Sequence, residues 1–513
     1  MRANVTRLEA IGRRELLVGV GAALGATALR LGPAAAQAPA APKGEIVAGV
    51  SERALTLDPA NHYSISATSV LRHIFDPLVD VTNDSKFVPA LAESWRPVSN
   101  TAWRFVLRKG VTFHDGTPFN ADSVIFTIKR VRDNTKLIKA FAYQDVENVE
   151  KDGDYAVTVT TKRPFGSLPA HLTMLGMLPP AGAGREEEFF QKPVGTGPFR
   201  FVKWTHGESV TMAANPTYWK KGVPKVAAVS FRFITELSTR AAALRAGEIH
   251  VIDRVTPDMV QTLKASPGVR VLDTPAIEAQ RWIFQLAKDP VKDPRVRKAI
   301  SLAIDRNAII KDLLLGYARP VDSPVPPGLI GHTSFGPKPY DPEKAKAILK
   351  QAGYQNLTLD FVLMKDIYPK QLEIAQAVAA MLGEVGIQVN IKNLEVASAR
   401  EIRTAGTYDL FYSGWAHMPH DPDWYFGQWF TKMGAEKLTR FDDPKVEQLV
   451  ADGRVPDPKV RQAKYEELER MIWEDETELW PYYSVAIYAI SDRLQGFEAR
   501  RDYYVLLSEV AIR

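Results

Sequence analysis

The sequence predicts an α/β protein of two or three domains, and three observations carry that prediction. Short runs of alternating apolar and polar residues recur along the chain, separated by stretches with apolar residues at helical spacing. One series, LTLDFVLM (357–364), QLEIAQAVAAMLGEVGI (371–387), VNIKNLEV (389–396) and YDLFYSGW (408–415), reads β-α-β-β. Behind an amino-terminal leader, about 476 residues remain, too many for one core at roughly 150 residues per domain.

Residues 1–36 read as an export signal rather than as fold. They combine a basic start, the twin Arg13-Arg14, an apolar run from Leu16 to Leu29 and small residues after it. The run is too short to span a bilayer as a stable helix. Ala34-Ala35-Ala36 fits the small-x-small rule, which places cleavage before Gln37. The Arg pair resembles a Tat signal, with a Sec signal carrying an incidental pair as the other reading. Either route implies a periplasmic protein. No Cys stands at the cleavage point, so lipid anchoring is excluded.

Element by element, GEIVAGV (44–50) and WRFVLRKGVTFHDG (103–116) read as half-buried strands with a turn after each. NADSVIFTIKRVRD (120–133) is a helix capped by Asn120 or Asp122. YAVTVTT (155–161) and VAAVSFRFI (226–234) are further strands. RPFGSLPAHLTMLGMLPPAGAG (163–184) is a long loop region, and KPVGTGPF (192–199) returns to regular structure through two glycines. DPRVRKAISLAIDRNAIIKDLLL (293–315) is an amphipathic helix pair with an Asp cap. DPEKAKAILKQAGY (341–354) is a helix with Pro at its first position and Gly353 as its stop.

Composition removes several function classes. The chain has no Cys, which rules out disulfide scaffolds, thiol nucleophiles, Cys-zinc sites and iron–sulfur clusters together. The formal charge of +5 comes largely from the leader; without it, 60 basic residues face 58 acidic ones, and no Lys/Arg block suggests nucleic acid. No G-x-S-x-G elbow, H-E-x-x-H zinc helix, Walker loop or dinucleotide fingerprint occurs. In GTGPF, Pro198 occupies the place where a helix should open to phosphate, so the segment reads as a turn. His114-Asp115-Gly116 is better read as a turn with an Asp cap than as half a catalytic dyad. Asp421 and Asp423 flank a Pro in one loop and are poorly placed to face each other across a sugar. No cofactor is expected.

The stretch GWAHMPHDPDWYFGQWF (414–430) carries the densest chemistry. His417 and His420, with Asp421 behind them, could supply ligands to nickel or zinc, or could be ordinary hydrogen-bonded loop histidines. Phe426, Trp429 and Phe430 are expected to pack from a helix started by Asp421-Pro422. Trp415 ends a strand just before a loop, which is where α/β sheets place ligands, and offers a rigid apolar wall.

PALAESW (89–95), WRFVLRKGVTFHDGTPFNADSVIFTIKRV (103–131), GTGPFRFVKW (195–204), NPTYW (215–219), ALRAGEIHVID (243–253), VKDPRVRKAISLAIDR (291–306), YDPEKAKAILKQAGY and YDLFYSGW follow one another in an order that resembles the family 5 extracellular solute-binding proteins of ABC importers. The resemblance covers essentially the whole mature chain. It implies a periplasmic-binding-protein fold in which two α/β lobes close about a hinge, with an additional inserted domain. Lobe I would comprise 37–80, 193–275 and 485–513, the insert 81–192, and lobe III 276–484. It further implies a monomeric binding protein, not an enzyme, that delivers a peptide or peptide-like solute to a membrane permease. Nickel chelates, sugars and opine-like compounds are alternatives. In peptide-binding members an Asp three residues after this Trp commonly pairs with the ligand's ammonium. Here that position is Met418, with Asp421 as the acid that could replace it. The resemblance also places LDPANHYSIS (57–66) on the cleft, giving Tyr63 and Ser64 as polar contacts beside Trp415, His417, Met418 and Asp421. Trp282 and Tyr483 read equally as cleft contacts or as core. Gln285 stands where the family usually has Asn.

Overall fold

The computed structural model describes residues 42–182, 184–432 and 442–513. The expected leader, 1–36, lies outside the described residues.

The architecture centres on one mixed sheet of twelve strands. Its main path runs Ile387–Leu394, Leu357–Met364, Leu410–Ala416, Val269–Phe284, Tyr483–Ser491, Val251–Ile252, Glu45–Val50, Ala228–Phe233, Ser209–Ala214, Phe199–Thr205. The first three strands form the expected β-α-β-β series: Leu357–Met364 pairs in parallel with both Ile387–Leu394 and Leu410–Ala416, and helix Gln371–Glu384 connects the first two. A second sheet of four antiparallel strands (Ala92–Ser99, Ala102–Leu107, Ala156–Thr161, Val146–Lys151) packs under helix Ala121–Asp133.

Both halves of the large sheet are covered on both faces, as an α/β layer requires. Because successive strand residues face opposite ways, Trp282, Tyr412 and Phe361 enter one buried cluster while Ile283, Phe411 and Val362 enter another. In the other half, Ala48, Phe231 and Ile490 face one cluster, and Ile252, Ile487 and Ala489 face the other. The four-stranded sheet has its own core around Trp103, Phe105, Val124 and Val157.

Local signals explain most element ends. Asn120 caps its helix, accepting from Asp122 N and Ser123 N, while the Ser123 hydroxyl reaches back to Asn120 N. Asp341 accepts from Lys344 N at the start of Pro342–Gln351, and Gly353 ends it with a φ of 80°. The expected 103–116 strand is shorter than its alternation suggests. It stops at Leu107, because Gly110 turns the chain at a φ of 73°, and Thr112 makes only an isolated bridge to Pro118. His114-Asp115-Gly116 is the turn between them, with Asp115 Oδ1 accepting from Thr117 N at 2.9 Å. The Gly195-Thr196-Gly197 turn is set by close approach: a Cβ at Gly195 would lie 2.0 Å from the Ile74 carbonyl oxygen. The 293–315 pair resolves into Pro294–Leu302 and a short helical turn that widens into a π-turn at Ile309–Leu313. No helix among the described residues is long and apolar enough to cross a membrane.

Candidate ligand cleft

Two strands join the halves of the sheet. Val269–Phe284 pairs with Tyr483–Ser491 from Val269↔Ser491 to Pro275↔Val485, then with Leu410–Ala416 from Glu278↔Ala416 to Phe284↔Leu410. Its register shifts between Pro275 and Ala279. At this junction the sheet leaves a cavity of about 350 Å³, a size typical of small-ligand pockets. Glu278 and Gln280 from one strand, Ser484 from the other, and Arg254, Tyr368 and Tyr503 from flanking segments line it.

The polar groups of this cavity are incompletely matched. Gln280 Nε2 and Ser484 Oγ both donate to Glu278 Oε1, at 2.6 and 3.0 Å. Burial raises the Glu278 carboxyl above its ordinary pKa, against the pull of Arg254 and those hydrogen bonds. Arg254 pairs with Glu52 at 3.4 Å, and its guanidinium lies 5.4 Å from the Tyr503 ring centre. Burial works against the Arg254 charge, but Glu52, Asp253 and Glu278 together outweigh it. Three residues of the wall, Arg254, Asp366 and Tyr503, hold left-handed backbones with φ of 49°, 60° and 63°. Such conformations cost roughly 1–3 kcal/mol each and collect at functional sites.

A strand end capped by Tyr368 borders the same space. Leu357–Met364 pairs with Leu410–Ala416 only at Leu410 and Phe411. Farther along, Gly414 N donates to the Tyr368 hydroxyl at 2.8 Å instead of to a neighbouring strand. A Cβ on Gly414 would fall 2.7 Å from Gln280 Nε2 and 2.9 Å from the Tyr368 ring, so glycine leaves room for both of these cavity side chains.

The aromatic stretch after Gly414 lies outside the junction cavity, and Asp423, Trp424, Gly427 and Gln428 from it line a second one. Trp415 meets Trp424 and Trp429 edge-on, at 6.1 and 5.8 Å between ring centres. Beneath them, Arg281 lies 3.7 Å from the Trp429 ring centre and is paired with Glu478. His417 is buried against Tyr425, and burial brings its pKa down to about 3. His420 bonds Ser85 Oγ at 3.0 Å and approaches Asp502 at 3.4 Å. Met418 packs partly buried on the same aromatic cluster. Asp421 Oδ1 accepts from Arg461 at 2.7 Å and from Asp423 N at 3.0 Å. Among the described residues, no group of three or more His, Cys, Asp or Glu side chains is placed to hold a metal ion.

The remaining sequence candidates lie apart. Trp282 is wholly buried between Phe361 and Tyr412. The Tyr483 hydroxyl donates to Ser323 O at 2.6 Å, and Ser64 caps helix Ile65–Ile74 by accepting from Ala67 N. Tyr63 is 54% exposed and borders a second cavity, of about 510 Å³. There Tyr63, Phe141 and Trp424 form a triangle of rings, with Asp423 and Arg454 at its edge. This outer chamber is apolar where the rings meet, and Asp423 and Arg454 at its edge are paired with each other, while both ring nitrogens of His171 and the Trp424 indole nitrogen in its wall have no hydrogen-bond partner among the described residues. The junction cavity has unmatched polar atoms too, Gln280 Oε1 and Arg254 Nε, and differs in bringing an acid without an ion pair, Glu278, beside an arginine.

A sequence profile for bacterial extracellular solute-binding proteins, family 5 (middle), matches residues 86–437. The chain belongs to that family. It is a solute-binding protein of the ABC-transporter type with the periplasmic-binding-protein fold. Among its relatives, the glutathione-binding protein GsiB of Pectobacterium atrosepticum is 27% identical over 473 residues, covering 89% of this chain and 92% of its own. The solved structure of the ABC transporter-associated periplasmic binding protein DppA from Helicobacter pylori, in complex with the peptide STSA, superposes with a TM-score of 0.78 at 26% identity, covering 92% of this chain and 98% of that one. AgaA from A. tumefaciens R10, in complex with agropinic acid, gives the same TM-score and identity over 92% and 99%.

In this family 5 protein Glu278, Gln280, Arg254, Tyr368 and Tyr503 line the junction cavity without having been expected there. One signal for Glu278 was available: it is a lone acid in the otherwise apolar half-strand AIEA (276–279). Arg254 and Tyr503 carried none, because their backbone conformation and meeting are products of the tertiary fold.

Proposed function

We propose that the protein captures a small peptide-like solute in the junction cavity and delivers it to the permease of an ABC importer. The observation that carries this reading is the cavity itself. It combines Arg254 and Glu278 with the polar side chains of Gln280, Tyr368 and Ser484, which suit a molecule bearing charge together with amide groups. The relatives named for glutathione and for a bound peptide support the same class.

On this reading 37–80 with 193–275 and 485–513 moves as one lobe, 276–484 as the other, and 81–192 rides as an insert. The two joining strands then act as the hinge. A solute that touches both sides of the junction favours the closed form by its differential contacts, and the permease reads closure. Export through a Tat-like leader cleaved near Ala36, a periplasmic working place, a monomeric state and the absence of catalysis belong to the same reading.

Native mass spectrometry of the purified protein tests it. The expected result is a one-to-one complex whose solute is peptide-like and is released unchanged. A metal-bearing mass removed by chelator, or a solute converted to product, would overturn it.

A further inference from the structure

Glu278 stands out among the acids of the interior. It lines a cavity rather than a packed core, and its side chain is still partly open to that cavity. Among the described residues no Lys, Arg or His nitrogen lies within ion-pair distance of its carboxylate. Several buried acids are matched by a cation: Asp421 by Arg461, Asp423 by Arg454, Glu478 by Arg281 and Asp502 by Arg500. Asp76 and Glu469 are held by neutral donors as Glu278 is, but neither lines the junction cavity. Glu278 is held by neutral donors alone: Gln280 and Ser484, both on the same oxygen, and the Tyr503 hydroxyl. Arg254, the nearest cation in electrostatic terms, is already paired with Glu52. A buried carboxylate held by neutral donors is costly unless a cation completes it.

We infer that Glu278 receives a cationic nitrogen of the solute while Arg254 faces its anionic group, so that the protein selects a zwitterion. The inference rests on the peptide-like reading above and sharpens it to a requirement for a free amine. The layout supports that requirement. Glu278 shares the junction cavity with Arg254, Gln280, Tyr368 and Ser484. An amine on Glu278 would therefore start a chain that runs past these polar side chains. Burial raises the Glu278 pKa, and a cation placed beside it would bring it down again.

The test is calorimetric titration of Ala-Ala-Ala and reduced glutathione, each with a free and an N-acetylated amine, into the full-length protein and into Glu278→Gln. Free-amine probes are expected to bind the unaltered protein roughly 30-fold or more tightly than the acetylated ones. Glu278→Gln is expected to remove that preference, bringing free-amine and acetylated probes to within about twofold of each other. Its unliganded thermal midpoint should not fall, since the amide keeps a hydrogen-bond acceptor for Ser484 and sheds an unpaired charge. Should the variant fail to fold, Glu278→Asp gives the same comparison with the charge withdrawn by one methylene.

If free and acetylated probes bind alike, or Glu278→Gln binds free amines undiminished, the inference is overturned and the peptide-like reading stands. If no probe binds, the peptide-like reading falls. Glu278 is then judged on the solute that co-purifies: one without a basic nitrogen overturns the inference. One with a basic nitrogen that is lost from Glu278→Gln sustains it.

Discussion

Ser167 and Asp423, 256 positions apart in the chain, meet in a buried hydrogen bond of 2.8 Å. Around it, Arg454 donates to both oxygens of Asp423, and Gly166 N donates to the Arg454 carbonyl at 2.5 Å. The loop region 163–184 is thereby fastened to the segment that begins at Trp415. Burial alone would raise the Asp423 carboxyl; Arg454, His171 and Arg461 overcome it and hold the pKa well below the usual range.

Asp423→Asn should therefore leave Arg454 without its main partner and destabilise the protein by about 3 kcal/mol. Ser167→Ala, which removes a single bond, should lose about 1 kcal/mol. Urea unfolding of both variants checks this; an Asp423→Asn protein as stable as the parent would mean the contact contributes nothing.

Gly414→Ala should damage binding more than folding. Its new methyl meets the Gln280 amide and the Tyr368 ring, both side chains that can turn away, but only into the junction cavity. We expect solute affinity to fall at least about tenfold, roughly 1.4 kcal/mol, while the unliganded thermal midpoint moves by a few degrees at most. Retained affinity would place the solute elsewhere.

Acid should weaken the fold through His73. Its Nε2 accepts from Leu507 N at 3.0 Å while Nδ1 contacts Ser69 O at 2.6 Å, an arrangement only the neutral ring can make. Burial lowers its pKa from 6.5 to about 4. The unfolded chain therefore takes up the proton first, and the stability present above pH 6.5 is lost as pH falls towards 4. The loss from this group is about 2 kcal/mol between pH 7 and 5. His73→Gln should show a correspondingly flatter dependence in urea titrations; an identical slope would assign the proton uptake to other groups.

The Arg281–Glu478 pair should behave as a unit. Tyr425 donates to Glu478 at 2.7 Å, and three aromatic rings surround the guanidinium. Arg281→Met leaves Glu478 buried and unpaired, at a cost of about 3–5 kcal/mol. Adding Glu478→Gln should recover at least half of that. Additive losses in the double variant would show that the two side chains act independently.

Much of the fold was legible because it rests on local signals. The helix starting at Ala121 announces itself through Asn120, and the β-α-β-β series through its change of period from two to helical and back. The strand expected over 103–116 read too long because alternation continued past Gly110, where the backbone turns. The cleft was harder to read. Trp415 could be placed at a strand end, but not which of its neighbours would face the cavity. That depends on the register shift between Pro275 and Ala279, which turns Glu278 and Gln280 towards Ser484. Asp421 looked available in sequence because Arg461, forty positions on, leaves no local trace of pairing with it.

The left-handed residues Arg254, Asp366 and Tyr503 have a practical consequence for anyone wishing to retarget the protein as a biosensor. Their backbones are bent by the surrounding fold, so the wall they form exists before a guest arrives, and replacing them would disturb its shape as well as its chemistry. Gln280, Ile367 and Ser484 line the same space from ordinary backbone and can be exchanged without unbending anything. A library aimed at new analytes should vary those three and leave the bent ones alone.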